Sequence, residues 1–477
     1  MHKLQLYNSL SNSIETFVPL DEKNVRMYVC GPTVYASPHI GNARPLVIFD
    51  ILLRVLRKIY DGNVTYVRNI TDVDDKINAA ARERNISIQE ITDAVIAEFH
   101  TNSKKLNLLP ATVEPRATLH IAEMLNIIGK LIENGFAYEA EGHVLFRVKK
   151  MPKYGALSKI NVDDMIAGSR VEIAPYKEDP LDFVLWKPSN EGTPSWDSDF
   201  GSGRPGWHIE CSAMSHKYLG EQFDIHAGGQ DLMFPHHENE LAQNFGAFGC
   251  TMAKYWIHNN MLVVNGQKMS KSFGNVVALD KILQEYDGEI IRYVLLSSHY
   301  QKILNWTNQA LYQAKQGLDR LYGALRIATA DIGNICECCS DSTAATCISD
   351  GDVTSSPIID ALCNNLNTPL ALHNLHLMAD EIFKMSEQEC NRDRINGLCA
   401  SMKNAASLLG LLWKSSHEWF QAGFKKISEN EISQLIEDRA IAKMTDNFER
   451  ADEIREQLLA YGVIIEDSKE GTMWKIG

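Results

Sequence analysis

Residues 25–42 read VRMYVCGPTVYASPHIGN, and this stretch decides the fold. The apolar run Val25–Val29 has the composition of a buried strand, which the turn residues at 30–32 end. Apolar residues at helical spacing from about 41 to 60 predict a helix, and residues 64–70 predict a second strand. A strand, a glycine-containing turn, a helix and a strand form a βαβ unit. Such a unit implies a parallel sheet that binds its ligand at the carboxyl ends of its strands.

The composition predicts a soluble protein with several domains. The chain has 477 residues, 45% of them apolar, which is enough for several hydrophobic cores. It contains no run of about 18 apolar residues and no signal-peptide core near its start, so we expect a cytoplasmic protein with no membrane partner. Ten unevenly spaced cysteines indicate thiols or metal ligands rather than disulfides. The net charge of −14 argues against a nucleic-acid partner, although a local basic face remains compatible with one.

Two short motifs contain residues that suit the phosphates of a nucleotide. The tetrapeptide HIGN at 39–42 lies where the first strand turns into the helix, and backbone N–H groups and the helix dipole favour phosphate there. The pentapeptide KMSKS at 268–272 lies in a loop flanked by glycines. Its lysines would neutralise a leaving pyrophosphate as charge develops in the transition state. Taken alone, the first motif also reads as an ordinary turn.

Together the two motifs resemble the HIGH and KMSKS signatures of class I aminoacyl-tRNA synthetases. In that class the carboxylate of an amino acid attacks the α-phosphate of ATP, which is used with Mg²⁺. The resemblance implies that His39, Lys268 and Lys271 are catalytic. Asn42 replaces the second histidine of HIGH; it can donate a hydrogen bond but carries no charge, so its effect on catalysis stays open. The residues that the resemblance assigns to ATP binding are Pro38, His39, Gly41, Asn42, Gly229, Asp231 and Lys271.

Five further segments closely resemble cysteinyl-tRNA synthetases, a family within this class. They are YVCGPTVY at 28–35, NITDVDDKI at 69–77, TVEPRAT at 112–118, GWHIECSAM at 206–214 and FDIHAGGQDLMFPHHENE at 223–240. The similarity extends over about residues 20–310 and is looser beyond them. It implies ATP-dependent ligation of L-cysteine to tRNA(Cys) through a cysteinyl-adenylate.

The same resemblance implies one zinc ion per subunit, bound by Cys30, Cys211, His236 and Glu240. His236 and Glu240 are four residues apart, so a helix would place both on one face. Two thiolates, an imidazole and a carboxylate suit Zn²⁺. The gaps between the ligands carry no metal signature, and spacing alone would also fit two core cysteines. Zinc binds a thiolate far better than a hydroxyl, which would select cysteine over serine without editing.

The remaining site candidates surround these motifs. Trp207 precedes Cys211 by four residues and would form one wall of the pocket for the substrate side chain, although packing in the core explains it equally well. His226 and His237 would orient Glu240 or the substrate, or be core histidines. Asp231 lies where a helix is predicted to begin, so it also reads as a helix N-cap. The residues assigned to cysteine binding are Gly31, Thr33, Thr71 and Trp207.

Two other features are predicted to carry less chemistry. Cys336, Cys338 and Cys339 lack a second spaced pair or nearby histidines and read as thiols in a loop. Residues 425–477 contain 8 Lys or Arg and 12 Asp or Glu, a net charge of −4, so RNA contact there would depend on a few placed residues. The candidates are Arg439, Lys443, Arg450, Arg455, Trp474 and Lys475.

The predicted fold class is α/β: a Rossmann-type parallel-sheet catalytic domain with an insertion, followed by an α-helical bundle and a small C-terminal anticodon-binding module. We expect a monomer. The predicted domains are the first half of the catalytic domain (1–118), the connective-peptide-like insertion (119–204), the second half (205–260), a stem-contact region with the KMSKS loop (261–315), the helical bundle (316–415) and the anticodon-binding module (416–477).

Two other functions fit part of the pattern. A cysteine ligase that transfers activated cysteine to a sugar amine, as in mycothiol synthesis, shares the catalytic motifs but lacks the C-terminal module predicted here. A non-catalytic paralogue that binds tRNA or senses cysteine is disfavoured by the intact KMSKS motif and the four zinc ligands. Cysteine-dependent pyrophosphate exchange and the identity of the acceptor separate these alternatives.

Overall fold

The computed structural model describes residues 3–160, 174–270, 273–328, 357–388, 392–421, 429–445, 447–468 and 471–476. The chain forms two compact units. The first comprises Met1–Ala314, Asp341–Asn374 and Leu408–Leu411, and the second comprises Lys315–Ser340, Leu375–Ser407 and Leu412–Gly477. Within the described residues, no helix is both long and apolar enough to cross a membrane.

Strands and helices alternate through the first unit, whereas the C-terminal part of the chain is mainly helical. The strands are β1 Gln5–Asn8, β2 Ser13–Thr16, β3 Val25–Val29, β4 Val64–Arg68, β5 Ala137–Ala140, β6 His143–Phe146, β7 Phe183–Pro188, β8 Gly203–Pro205, β9 Phe223–Gly229, β10 Ala253–Asn259, β11 Leu262–Val264, β12 Gln267–Lys268, β13 Leu304–Trp306, β14 Val463–Ser468 and β15 Gly471–Ile476. The α-helices are α1 Ile40–Ile59, α2 Asp75–Arg84, α3 Ile88–Lys105, α4 Ile121–Glu133, α5 Trp207–Leu219, α6 Glu238–Phe248, α7 Leu279–Glu285, α8 Gly288–Leu296, α9 Asn308–Leu325, α10 Pro357–Cys363, α11 Thr368–Glu387, α12 Arg392–Leu408, α13 Ser416–Gln421, α14 Glu429–Met444 and α15 Phe448–Ala460.

The centre of the first unit is a four-stranded parallel sheet in the order β10-β9-β3-β4. In β3, Met27 lies opposite Ile225 of β9 and Tyr66 of β4. Four of the five β3 residues are buried, as expected of a parallel strand that is covered on both faces. The predicted βαβ unit is confirmed. The carboxyl ends of the four strands therefore meet at one edge, where a ligand would bind.

Helix α1 connects β3 to β4 and begins immediately after His39. Asn42 stabilises this start, because its Oδ1 accepts a hydrogen bond of 3.0 Å from the backbone N–H of His39. Arg57 and Lys58 lie in the last turn, where cations interact favourably with the negative end of the helix dipole. The position at which the sequence departs from HIGH thus has a structural role as a helix cap.

Two element boundaries differ from the sequence expectation. The strand predicted over 64–70 ends at Arg68, and Ile70 forms an isolated bridge with Arg116 instead. The helix expected from Asp231 begins only at Glu238, so the expectation that Asp231 is its N-cap was wrong. A 3₁₀ turn over Gln230–Leu232 and a π turn over Met233–His237 come first.

The late start of α6 has a local cause. Phe234 precedes Pro235, and the proline ring disfavours helical backbone angles in the residue before it. Phe234 accordingly has extended angles, with φ at −136° and ψ at 131°. The residues from 230 to 237 therefore form separate short turns instead of the first two turns of α6.

A second sheet lies between β4 and β9 in the chain. Strands β5, β6, β7 and β8 form it in that order, with antiparallel pairing throughout. Helix α4 buries Met124, Ile128 and Leu131 in the same core that contains Phe146 and Trp186. Its strands span residues 137–205 and so overlap the predicted insertion, while the domain boundaries at 119 and 204 stay predictions.

The C-terminal part of the second unit is a small module. Strands β14 and β15 form an antiparallel hairpin that follows α15. The hairpin shares a compact core with α14 and α15. The buried residues of that core are Ile432, Ile454, Leu458, Val463 and Ile465.

A buried ion pair joins α1 to α8 in the first unit. Arg292 and Asp50 bind each other, and Arg54 Nε lies 2.8 Å from the same Asp50 oxygen. Burial alone would raise the pKa of Asp50, but the two guanidinium groups outweigh burial and hold that pKa below its ordinary value. Arg292 also donates to the carbonyls of Leu106, at 3.0 Å, and Leu409, at 2.7 Å.

The substitution Asp50→Asn should destabilise the first unit by about 3–5 kcal/mol, because it leaves a buried guanidinium without its counter-charge. The measurement is urea unfolding followed by circular dichroism. Because the pKa of Asp50 is lowered, the contribution is present at neutral pH and is lost as the pH falls below about 4. Glu83→Gln, on the exposed face of α2, is the matched control. A loss of less than about 1 kcal/mol at pH 7 would contradict this account.

Candidate functional site

The candidate site lies at the carboxyl edge of the central sheet. Cys30 follows the last residue of β3, and Cys211 lies in the second turn of α5. His236 comes from the π turn, and Glu240 lies in the first turn of α6. The four side chains therefore come from segments as much as 210 residues apart in the chain.

The structure brings the four predicted metal ligands together. Cys30 Sγ lies 3.8 Å from Cys211 Sγ and 3.7 Å from Glu240 Oε1. His236 Nε2 lies 3.0 Å from the same Glu240 oxygen. One donor atom from each residue lies within 4.8 Å of all the others. A cluster of this size suits a single metal ion about 2.0–2.3 Å from each donor.

A second set of possible ligands overlaps the first. His226 and His237 combine with Cys30 and Glu240 to give another group whose donor atoms lie within 4.8 Å of one another. His226 Nε2 lies 2.9 Å from Glu240 Oε2, and His237 Nε2 lies 3.3 Å from Cys30 Sγ. These two histidines contact the predicted ligands directly, where they would orient Glu240 and Cys30 around an ion.

The electrostatics of the cluster favour a bound cation. Burial raises the pKa of Glu240 well above its ordinary value and raises that of the Cys30 thiol. Burial also lowers the pKa of His236 well below its ordinary value and that of His226 to about 3. Without a cation, each of these groups is therefore driven towards its neutral form. A divalent ion would stabilise the thiolates and the carboxylate, so the donor set fits a metal.

His208 and His258, which the sequence analysis did not select, extend the cluster. His237 Nδ1 lies 2.8 Å from His258 Nε2, and His258 Nδ1 lies 2.8 Å from Ser9 Oγ. His208 Nδ1 lies 3.0 Å from His236 Nδ1. His208 stands inside the GWHIECSAM segment that the sequence singles out, whereas Ser9 lies far outside every motif. The pairing of β10 with β9 brings His258 to this edge.

The predicted cysteine-binding residues line the same edge. Trp207, at the start of α5, stacks on His236 with ring centroids 4.2 Å apart and keeps 38% of its surface exposed. Thr33 and Thr71 form an isolated parallel bridge beyond the ends of β3 and β4. Gly31 packs so closely on the Asn69 carbonyl that a Cβ would overlap it. Trp207 thus packs against a predicted ligand and also presents an exposed surface, and its role in binding cysteine stays a prediction.

The two nucleotide motifs meet. His39 pairs with Ala278 in an antiparallel bridge, Ile40 N donates to Val277 O at 2.9 Å, and Leu279 N donates to Pro38 O at 2.9 Å. A Cβ added at Gly41 would lie 2.9 Å from Met269 Cε and 3.0 Å from the His39 ring, both too close. Backbone hydrogen bonds thus hold the HIGN segment beside the residues that follow KMSKS.

Other predicted nucleotide residues are more exposed. Lys268 lies exposed on β12, and Asp231 lies exposed beside Gly229 in the 3₁₀ turn after β9. Asn275 Oδ1 accepts from Ser270 N at 2.9 Å, which closes the base of the KMSKS loop. Lys271 lies outside the described residues, as do Cys336, Cys338 and Cys339.

Some of the basic residues proposed to contact RNA in the C-terminal module already form ion pairs within the protein. Arg439 and Lys443 both bind Asp467, at 2.9 and 2.7 Å, and Arg450 binds Glu453 at 2.8 Å. Trp474 packs against the small core of the module, and Arg455 is exposed. Lys475 lies on β15, and its side chain is outside the described set.

Comparison with known proteins agrees with this geometry. The model of a family described as tRNA synthetases class I (C) catalytic domain matches residues 16–316. The fold resembles that of a Mycobacterium tuberculosis methionyl-tRNA synthetase bound by methionyl-adenylate. That similarity has a TM-score of 0.59 at 13% identity and covers 83% of this chain and 93% of the other. Fold and paired motifs together define a class I tRNA synthetase.

Curated relatives show to which family within this class the chain belongs. A cysteine–tRNA ligase of Xanthobacter autotrophicus is 49% identical over 482 residues, covering 99% of each chain. One of Paramagnetospirillum magneticum is 50% identical over 478 residues, covering 99% of this chain and all of the other. The chain therefore belongs to the cysteine–tRNA ligase family.

Two histidine variants separate the overlapping ligand sets. If Cys30, Cys211, His236 and Glu240 are the ligands, His236→Gln should abolish metal retention. His226→Gln should then keep one metal per chain, with an affinity about 10–100-fold weaker because Glu240 loses its orienting partner. Competition with a chelator measures both, and His373→Gln, on an exposed helix position, is the control. Loss of metal in the His226 variant but not in the His236 variant would identify the other set.

Proposed function

We propose that this chain joins L-cysteine to tRNA(Cys) in two steps. The amino acid and ATP first give cysteinyl-adenylate and pyrophosphate, and the cysteinyl group then passes to the terminal adenosine of the tRNA. The observation that carries the proposal is the convergence of two thiols, an imidazole and a carboxylate at the sheet edge that also holds the nucleotide motifs. Membership of the cysteine–tRNA ligase family supports the same assignment.

Zinc is the metal that best suits the donor set. Cys30, Cys211, His236 and Glu240 would hold one ion, since sulfur and nitrogen donors with one carboxylate match its preferences. When bound, zinc would coordinate the substrate sulfur as a thiolate, which a serine hydroxyl reproduces poorly. The protein itself contributes Trp207, which stacks on His236 and keeps 38% of its surface exposed, so that it can form one wall of the cysteine pocket.

His39 is proposed to stabilise the developing charge on the α-phosphate of ATP. Burial lowers the pKa of His39, so its imidazole is neutral at physiological pH and each ring nitrogen can make one hydrogen bond. His39 is partly exposed and directly precedes α1, so one of its ring nitrogens can donate to a phosphate oxygen bound at the start of that helix. Lys268 and, on the sequence pattern alone, Lys271 would neutralise the pyrophosphate, with Mg²⁺ accompanying ATP.

Binding of the ATP ribose and of the tRNA is proposed to rely on more exposed groups. Gly229 and Asp231 are proposed to contact the ATP ribose, because they follow β9 at the ligand edge. The C-terminal module is proposed to contact the anticodon through a few residues, since Arg439 and Lys443 are already paired with Asp467. Arg455 and Trp474 are then the first residues to test. We propose that the protein is a monomer and that it acts in the cytoplasm.

Cysteine-dependent exchange of pyrophosphate into ATP tests the first step. The wild-type chain should exchange with cysteine at least about 1,000-fold faster than with serine, which exceeds the roughly 10–200-fold preference that a hydrophobic pocket achieves. Cys211→Ser should lose both the metal and the exchange, because a serine hydroxyl is a poor zinc ligand. Cys250→Ser, at a cysteine outside the cluster, is the control and should retain both. Full activity of Cys211→Ser without zinc would contradict the proposal, and transfer to a glucosamine–inositol acceptor but not to tRNA would reassign the second step.

A substitution at His39 tests the assignment of charge stabilisation. His39→Ala should lower kcat for pyrophosphate exchange by about 100-fold or more while leaving KM for cysteine nearly unchanged, because the imidazole acts mainly in the transition state. His373→Ala is again the control. An increase in KM with normal kcat would mean that His39 only helps to bind the substrates.

A further inference from the structure

Arg44 is a buried arginine that binds four backbone carbonyls. It lies in the second turn of α1 and is 1% exposed. Its Nη1 donates to the carbonyls of Asn260 and Met261, at 2.7 and 2.6 Å. Its Nη2 donates to the carbonyls of His299 and Lys302, at 3.3 and 2.7 Å. One side chain thus joins three segments that lie far apart in the sequence.

Carbonyl groups, and not a carboxylate, stabilise this guanidinium. Burial lowers the pKa of Arg44 to about 10, and no acidic group of the described residues raises it again. The side chain therefore stays charged at neutral pH, where its hydrogen bonds to the carbonyls are charge-assisted. A buried cation without a counter-charge is costly, and an apolar residue of similar size would serve packing better. The arginine is best explained by what its four hydrogen bonds hold together.

The carbonyls that Arg44 binds lie at the base of the sheet that carries Lys268. Residues 260–261 directly precede β11, and Lys302 lies two residues before β13. Strand β11 pairs in parallel with β13 and antiparallel with β12, where Val263 lies opposite Lys268. A planar guanidinium can bind both segments at once, because each terminal nitrogen has two N–H groups in a fixed geometry. Arg44 therefore fixes where this sheet begins relative to α1.

The segment that contains KMSKS is thus joined to the HIGN region on both sides of the motif. On the carboxyl side, backbone hydrogen bonds join residues 277–279 to residues 38–40. On the amino side the connection is made by Arg44, five positions after His39. His39 and the motif lysines are proposed to act on the same ATP, and a misplacement of about 1 Å can cost about 100-fold in rate.

We propose that Arg44 is a positioning residue that holds the lysines of KMSKS at their working distance from His39. The inference rests on the proposed function, because it assigns Arg44 no contact with a substrate. Arg44 acts through the backbone at the start of β11 and before β13, and so through Lys268 and, on the sequence pattern, Lys271. Loss of its hydrogen bonds would let the two nucleotide motifs move apart and would leave the metal cluster in place.

Cysteine-dependent pyrophosphate exchange with the full chain tests the proposal. Arg44→Met fills the buried space with an apolar side chain and removes all four hydrogen bonds. It should lower kcat by about 100-fold, while zinc content and KM for cysteine change by less than about threefold. Arg44→Lys keeps the charge, but one ammonium cannot bind both segments as the planar group does, so kcat should fall by about tenfold or more. Arg54→Met, which removes an ion pair with Asp50 on the same helix, is the control and should keep its kcat within about threefold.

A second background separates positioning from general damage to the fold. In a chain that already carries Lys268→Ala and Lys271→Ala, the lysines that Arg44 positions are absent. Arg44→Met should then lower the remaining exchange by less than about tenfold, because residues that act as a unit are not additive. A further fall of about tenfold or more in that background would overturn the inference. Wild-type kcat in either Arg44 variant would overturn it as well, and both results would leave the proposed function intact.

The conservative variant keeps the test available if Arg44→Met does not fold, which circular dichroism would show. The loss of about tenfold in Arg44→Lys should then shrink to less than about threefold in the background without the two lysines. An undiminished loss there would overturn the inference. A wild-type chain that exchanges no pyrophosphate with cysteine would instead overturn the proposed function itself.

Discussion

The site depends on one buried carboxylate. Glu240 is 0% exposed, and its oxygens contact Cys30, His226 and His236. A carboxylate out of water costs several kcal/mol unless a positive charge or a metal compensates it. Its neighbours are thiols and imidazoles that burial keeps neutral, so none of them supplies that charge. A bound cation would supply the missing charge, and the neighbouring histidines would orient the carboxylate towards it.

The parallel sheet brings residues that are far apart in the chain together at this one site. Strand β3 delivers Cys30 to the edge, and β9 and β10 deliver His226 and His258 on the adjacent strands. The same edge carries the contact between the HIGN segment and the residues after KMSKS. Backbone hydrogen bonds make this contact, so it does not depend on the conformation of the side chains in either motif.

Much of this arrangement is predictable from the sequence because its signals are local. The apolar run of β3 and the periodicity of α1 each depend on a few neighbouring residues, and both elements occur within one residue of where they are predicted. The metal ligands were found by resemblance, since their spacing carries no signal of its own. The late start of α6 was missed, although the proline at 235 was visible in the sequence.

Other parts of the site depend on tertiary structure and were not predictable. The contact between His258 and His237 requires the pairing of β10 with β9, and the hydrogen bond from Arg44 to the Lys302 carbonyl joins residues 258 positions apart. Charge counting also failed to show that Arg439 and Lys443 share Asp467, because a count of charges contains no pairs. These contacts form only when the strands and helices pack into the tertiary structure.

The most direct test of the central claim is X-ray absorption at the zinc edge on the purified chain. The account predicts one zinc per chain with two sulfur donors and two nitrogen or oxygen donors. Addition of cysteine should add one sulfur at about 2.3 Å, and addition of serine should leave the spectrum unchanged. Absence of zinc, or a sulfur count that cysteine does not change, would contradict the claim that this cluster recognises the substrate thiol.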